Sequence, residues 1–203
     1  MAWPNDRTLR FVLKPLVFAL ALLPLGLLVW QVFTGQLGAN PVEAMTRSLG
    51  DWALRFLLLT LALSPLKTLT GWAGWVRFRR MIGLFAFFYA VLHVSNYVVV
   101  DHYGDLAVIW SDILKRLYIT VGMASLVILL ALAATSPKVA IKKLGGRRWQ
   151  KVHRFVYPAA ILAVVHFYMM IRADKTEAVI YGIILAGLLA FRFKPKQARK
   201  RPA

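Results

Sequence analysis

The sequence predicts an all-α integral membrane protein, a six-helix bundle with both termini cytoplasmic. Three observations predict it. The 203 residues are 60% hydrophobic, with a mean hydropathy of +0.63, too apolar for a soluble domain of this length. Several runs approach the roughly 20 apolar residues that cross a hydrocarbon core of about 30 Å. The basic residues gather between alternate runs, as the positive-inside rule requires.

Six spans are expected at 11–31, 52–66, 81–100, 117–135, 154–171 and 177–193. The first run is full length and lacks a clear small-residue cleavage site, so it reads as a membrane helix and not a removable signal. The second is short and is expected to stop at Ser64-Pro65. The fourth is expected to stop in the same way at Ser136-Pro137. Between spans lie the turn residues Gly35, Gly38 and Pro41, then Gly71 and Gly74, then Gly145-Gly146. No internal repeat is evident. The chain divides into a cytoplasmic N-terminus (1–10), a six-span domain (11–193) and a basic cytoplasmic tail (194–203), which is expected to be disordered.

Charge sets the expected orientation. With the N-terminus, the 67–80 and 136–154 loops and the tail on one side, that side holds 20 of the 26 Lys and Arg. Of the eight acidic residues it holds only Asp6. That side is read as cytoplasmic. A net charge of +18 could suggest nucleic acid, but the cations flank apolar runs and form no stripe on a soluble fold, so no nucleic-acid partner is expected. Trp72, Trp75, Trp110 and Trp149 fall near the predicted interfaces, where aromatic side chains anchor.

Two histidines stand out. His93 lies in MIGLFAFFYAVLHVSNYVVV and His166 in FVYPAAILAVVHFYMMI. Spans three and five run in the same direction, and each histidine follows the start of its span by the same 12 residues, from Met81 and from Arg154. At about 1.5 Å per residue both imidazoles sit about 18 Å from the inner boundary, in the outer half of the bilayer. Ligating side chains inside a membrane are costly and mark function. Two imidazoles at one depth are what a six-coordinate haem iron needs. Behind His93 one helical face carries Ala90, Ala86, Gly83 and Arg79, and behind His166 come Ala163 and Ala159. Such small-residue stripes leave room for a flat macrocycle, or allow close helix packing.

His153 lies 13 residues before His166, about 140° away on a straight helix, with Pro158 between them. It is either an inner ligand, an anion-site residue or a simple interfacial histidine. His102, between Asp101 and Asp105, is expected to be solvated. Arg55 is placed to snorkel or to meet a haem propionate. No buried acid is evident within a span, which disfavours a proton relay. There are no cysteines, which excludes disulfides and thiolate-ligated clusters. No nucleophile–base pair appears, so no catalytic residues are expected in this chain.

The six-span plan, GWAGWVRFRRMIGL before span three, FYAVLHVSNY around His93 and GGRRWQKVHRFVYPAA with VVHFYMM across His153 and His166 resemble the ferric-reductase-like transmembrane superfamily. Within it, essentially the whole chain is similar to the haem-binding membrane subunits of bacterial periplasmic methionine sulfoxide reductase systems. The superfamily carries two histidines in each of spans three and five. Here span five keeps His153 and His166, while span three keeps His93 and has Arg79 in place of the second. The resemblance implies haem b on His93 and His166, with His153 a further possible iron ligand. It also implies FMN, for which Arg79, Arg80 and His153 would form an inner-face phosphate site. Electrons would come from membrane quinol or a cytoplasmic flavin donor. They would pass to a periplasmic molybdenum-containing methionine sulfoxide reductase, the partner in a heterodimer at the bacterial inner membrane. The competing readings are a stand-alone haem-dependent metalloreductase or quinol oxidoreductase, a small proton-coupled transporter, and a structural assembly subunit.

Overall fold

The computed structural model describes residues 4–193, and the described residues are helical with no strand. The expected basic tail (194–203) and residues 1–3 lie outside them. In chain order the helices are α1 (Asp6–Phe33), α2 (Pro41–Thr70), α3 (Ala73–Asp101), α4 (Leu106–Lys115), α5 (Leu117–Ala134), α6 (Lys138–Leu144), α7 (Gly146–His153), α8 (Val156–Met170) and α9 (Thr176–Phe193). Among the described residues five segments are long and apolar enough to cross a membrane: α1, α2, α3, α5 and the α7–α8 pair. Helix α9 adds 18 residues at the position of the sixth expected span.

Helix α2 corrects the sequence expectation. It is 30 residues long and does not stop at Ser64-Pro65. Asn40 caps its start, with Oδ1 accepting from the Glu43 amide at 3.2 Å, and Pro41 occupies the first turn, where a missing N–H costs nothing. Pro65 is carried inside the helix, and the actual stop is Gly71 at φ +74°, a left-handed position that glycine adopts without strain. The expected end of span four holds, with α5 finishing at Ala134.

Large apolar side chains along the spans face outward, among them Phe11, Leu20, Leu27, Val127, Leu130 and Ile183. This is the surface a lipid solvent requires, because water cannot satisfy it. Inside, Leu57, Leu63 and Tyr89 are fully buried. Tyr89 shows how the core is held. Its hydroxyl accepts from the Leu25 amide at 3.1 Å and donates to the Ala21 carbonyl at 2.8 Å. A helix normally joins that amide and carbonyl directly, so the phenol is stitched into α1 beside Pro24. The Ser125 hydroxyl donates to the Ala159 carbonyl at 2.9 Å and ties α5 to α8. Ala86, Ala159 and Ala160 are completely buried, so the alanine stripes partly serve close packing.

Candidate functional site

Two cavities in the bundle share Leu57 and Leu129 as a dividing wall. The first has a volume of about 320 Å³ and is lined by both His93 and His166. Their ring centroids are 6.3 Å apart and their planes are turned by 82°. The equal depth expected for the two imidazoles is therefore realised as direct proximity.

Each ring is fixed in the same way. His93 Nδ1 lies 2.8 Å from the carbonyl oxygen of Thr46, and His166 Nδ1 lies 2.7 Å from that of Tyr118. A carbonyl only accepts, so each Nδ1 carries the proton and each Nε2 keeps a free lone pair. Four residues after each carbonyl comes a glycine. A β-carbon on Gly50 would lie 3.0 Å from His93 Nδ1, and one on Gly122 would lie 2.7 Å from His166 Nδ1. In a helix the side chain of residue i+4 leans back over the carbonyl of residue i. A side chain there crowds an imidazole seated on that carbonyl, severely at Gly122 and more mildly at Gly50. The α2–α3 and α5–α8 pairs thus carry one repeated seat, Thr46–Gly50 for His93 and Tyr118–Gly122 for His166. No internal repeat is evident in the sequence, because the match lies in two lone glycines in unlike surroundings, Gly50 in RSLGDW and Gly122 in ITVGMAS.

The seat of His93 is reinforced. Asn96, one turn further along α3 and 8% exposed, donates to Thr46 Oγ1 at 2.7 Å and to the Val42 carbonyl at 3.2 Å. Asn96 opens a π-helical stretch, Asn96–Asp101, an irregularity common at functional sites.

Three sequence expectations change at this cavity. His102 is not solvated. Its Nδ1 donates to the Tyr97 carbonyl at 3.2 Å, and its Nε2 lies 3.5 Å from Asp112. Asp112 is buried and also accepts from Tyr97 Oη at 2.9 Å and Arg116 Nε at 3.1 Å. A carboxylate does lie within a span: Asp51, next to Gly50, lines the cavity half-buried. It was placed outside span two because α2 begins earlier than expected. Arg55 meets α9, not the cavity, donating to Tyr181 Oη at 2.8 Å and lying 3.6 Å from Glu177.

The second cavity is larger, about 620 Å³. Arg79, Arg80 and His153, separated in sequence, line it together, joined by Arg154 and Arg192. No carboxylate lines it among the described residues. Arg79 donates to the Ser64 hydroxyl, and Arg192 donates to the same oxygen at 3.0 Å. Two guanidiniums thus meet on one neutral hydroxyl with no carboxylate lining the cavity beside them, which leaves its described lining strongly cationic. Ser64 and Arg192 carried no sequence signal for this role. His153 closes α7, stacks on Trp149 with centroids 4.0 Å apart, and bonds the Trp149 carbonyl through Nδ1 at 3.2 Å. A break at Arg154-Phe155 separates α7 from α8, so His153 and His166 serve different cavities.

Such an arrangement, paired imidazoles at one end of a helical membrane bundle and a cationic cavity at the other, defines a class of transmembrane redox component. The family described as "Ferric reductase like transmembrane component" matches residues 49–164. A relative from Rhodospirillum rubrum, "Protein-methionine-sulfoxide reductase heme-binding subunit MsrQ", is 50% identical over 188 residues, covering 91% of this chain and 89% of the relative. Proteins of the same name from Herminiimonas arsenicoxydans and Xanthomonas oryzae pv. oryzae are each 46% identical, covering 89% and 94% of this chain and 84% and 89% of their own lengths. The chain belongs to the ferric-reductase-like transmembrane family and, within it, to the MsrQ group.

Proposed function

We propose that this chain is the membrane electron-transfer subunit of a methionine sulfoxide reductase system, holding haem b between His93 and His166. The observation that carries this reading is the 6.3 Å spacing of two imidazoles whose Nδ1 atoms are both committed to carbonyls. An imidazole–metal bond is about 2.0 Å and each ring nitrogen lies roughly 1 Å from its ring centre, so two rings sharing one ion have centroids roughly 6 Å apart. Among the described residues no group of three or more His, Asp or Glu could cage a metal. A site with two protein ligands suits an ion that brings its own equatorial donors.

When bound, haem supplies one-electron redox chemistry. The chain's own part is to fix both rings and set their tautomers through Thr46 and Tyr118. The anion site at Arg79, Arg80, Arg192 and His153 supports an FMN phosphate as its occupant, and His153 keeps an Nε2 free to ligate iron there instead. Electrons would arrive from membrane quinol or a cytoplasmic flavin donor and leave to a periplasmic molybdenum-containing methionine sulfoxide reductase. In this reading α9 is the sixth span. Both termini are cytoplasmic, as the 20-to-6 charge split favours, and the membrane is the bacterial inner membrane. The functional domain is then 11–193, between a cytoplasmic N-terminus (1–10) and tail (194–203).

The experiment is a reduction and reoxidation cycle on purified chain in lipid nanodiscs. A quinol should reduce the b-type spectrum, and the reductase partner with methionine sulfoxide should reoxidise it. A spectrum that the quinol reduces but the partner leaves unchanged would instead favour the stand-alone oxidoreductase.

One observation favours a second reading. Asp51 is a half-buried carboxylate on the cavity wall and makes no hydrogen bond or ion pair among the described residues, which suits a proton relay through the two histidines. That reading requires colourless protein and pH-driven flux in vesicles.

A further inference from the structure

We infer that α4 is an in-plane helix seated in the membrane boundary at the end of the bundle that holds the His93–His166 pair. Three sectors of α4 meet three environments. Ile109, Ile113 and Arg116 line the histidine cavity, and Asp112 is locked inward by Tyr97, His102 and Arg116. Leu106, Trp110 and Leu114 project outward and are 74%, 63% and 69% exposed. At about 100° per residue these three fall within an arc of about 80°, a stripe with no protein against it. The remaining sector carries Ser111, the exposed Lys115 and, beside it, the 44%-exposed Val108.

The occupant of the stripe follows from its surroundings. Helix α3 ends at Asp101, five residues before α4. Helix α5 starts at Leu117, after a single extended residue, Arg116, with φ −112° and ψ 93°. The 18 residues of α5 rise about 27 Å, enough to use most of the hydrocarbon thickness, so α4 begins where that core ends. Leu117 is itself 65% exposed and joins the stripe to the lipid-facing side of α5. The apolar face is therefore continuous with the surface already turned to lipid. Trp110 and the 91%-exposed Tyr103 are the side chains that settle at headgroup level. A leucine and tryptophan face beside a polar, cationic face is the composition of an interfacial helix. Lipid seating would then press the opposite face of α4 onto the histidine cavity.

Because the chain has no cysteine, single labelling sites can be introduced without background. Spin labels at Leu106→Cys, Trp110→Cys, Leu114→Cys, Ser111→Cys and Lys115→Cys are compared in nanodiscs, without partner, by accessibility to oxygen and to a water-soluble nickel chelate. The oxygen-to-nickel ratio should be severalfold higher at 106, 110 and 114 than at 111 and 115. Equal ratios at all five positions would overturn the inference and make the stripe a water-facing docking surface for another protein. Protection of the stripe from both reagents would overturn it in favour of self-association. Leu106, Trp110, Leu114 and Lys115 are exposed, and cysteine is nearly isosteric with the part-buried Ser111, so the substitutions remove no core side chain.

Discussion

Gly122 lies directly beneath His166: a β-carbon at this position would come within 2.7 Å of Nδ1, 2.9 Å of Cε1 and 3.2 Å of Cγ. At Gly50, beneath His93, the corresponding approaches are 3.0 and 3.1 Å to Nδ1 and Cε1. The two glycines therefore predict a graded pair of variants. Gly122→Ala must push its imidazole off the Tyr118 carbonyl, while Gly50→Ala requires a shift of only a few tenths of an ångström. Haem-to-protein ratios of the purified variants should fall in the order wild type, Gly50→Ala, Gly122→Ala, with Gly122→Ala losing most of its haem. Equal and undiminished ratios would remove the seat from the account.

The 82° angle between the imidazole planes makes a spectroscopic prediction. Parallel axial rings lift the degeneracy of the iron orbitals they donate to, whereas crossed rings leave it nearly intact. Oxidised protein frozen for electron paramagnetic resonance should show the large-gmax, strongly anisotropic low-spin signal of crossed imidazoles. A rhombic signal of parallel planes would show that the rings turn when the site is filled.

Asn96 grips α2 at two points, Thr46 Oγ1 and the Val42 carbonyl. Asn96→Leu removes both bonds, each a loss of about 0.5–1.5 kcal/mol, while the Thr46 hydroxyl keeps its own bond to the Val42 carbonyl at 2.9 Å. The thermal midpoint of the variant should drop, and the haem potential should shift with it because Thr46 orients His93. Asn96→Gln should recover neither, since the longer side chain cannot occupy the same 2.7 Å contact.

Arg79 and Arg192 share the Ser64 hydroxyl in the cationic cavity. Removing one guanidinium weakens anion capture. Arg79→Gln and Arg192→Gln should each retain less flavin on purification, measured by fluorescence after acid release. The absorption contributed at His93 and His166 should be unchanged. Full flavin retention in the double variant would exclude this cavity as the phosphate site.

Much of this architecture is legible in the letters. Apolar run length locates the spans, and the shared 12-residue offset places His93 and His166 at one level, because both belong to helices with the same rise per residue. The clustering of Arg79, Arg80 and His153 also follows from their position at the inner ends of spans three and five. What the letters hide is contact between helices. Gly50, Gly122 and Ser64 are unremarkable in their own segments and gain meaning only from a ring or guanidinium brought from elsewhere. Pro65 misleads for a related reason: the freed backbone carbonyl is tolerable inside a packed bundle, so the helix passes through it to Gly71. Asp51 is hidden at the other end of the helix: it counts as a loop residue only if α2 begins at residue 52, whereas α2 begins at Pro41.

The most direct measurement is the absorption spectrum of purified protein beside His93→Ala and His166→Ala, with His102→Ala as the control that removes an imidazole held by Asp112 and Tyr97. Facing rings that jointly ligate one iron predict a reducible b-type Soret band in wild type and His102→Ala, and loss of most of that band in each of the other two. Unaltered bands in both His93→Ala and His166→Ala would contradict the account.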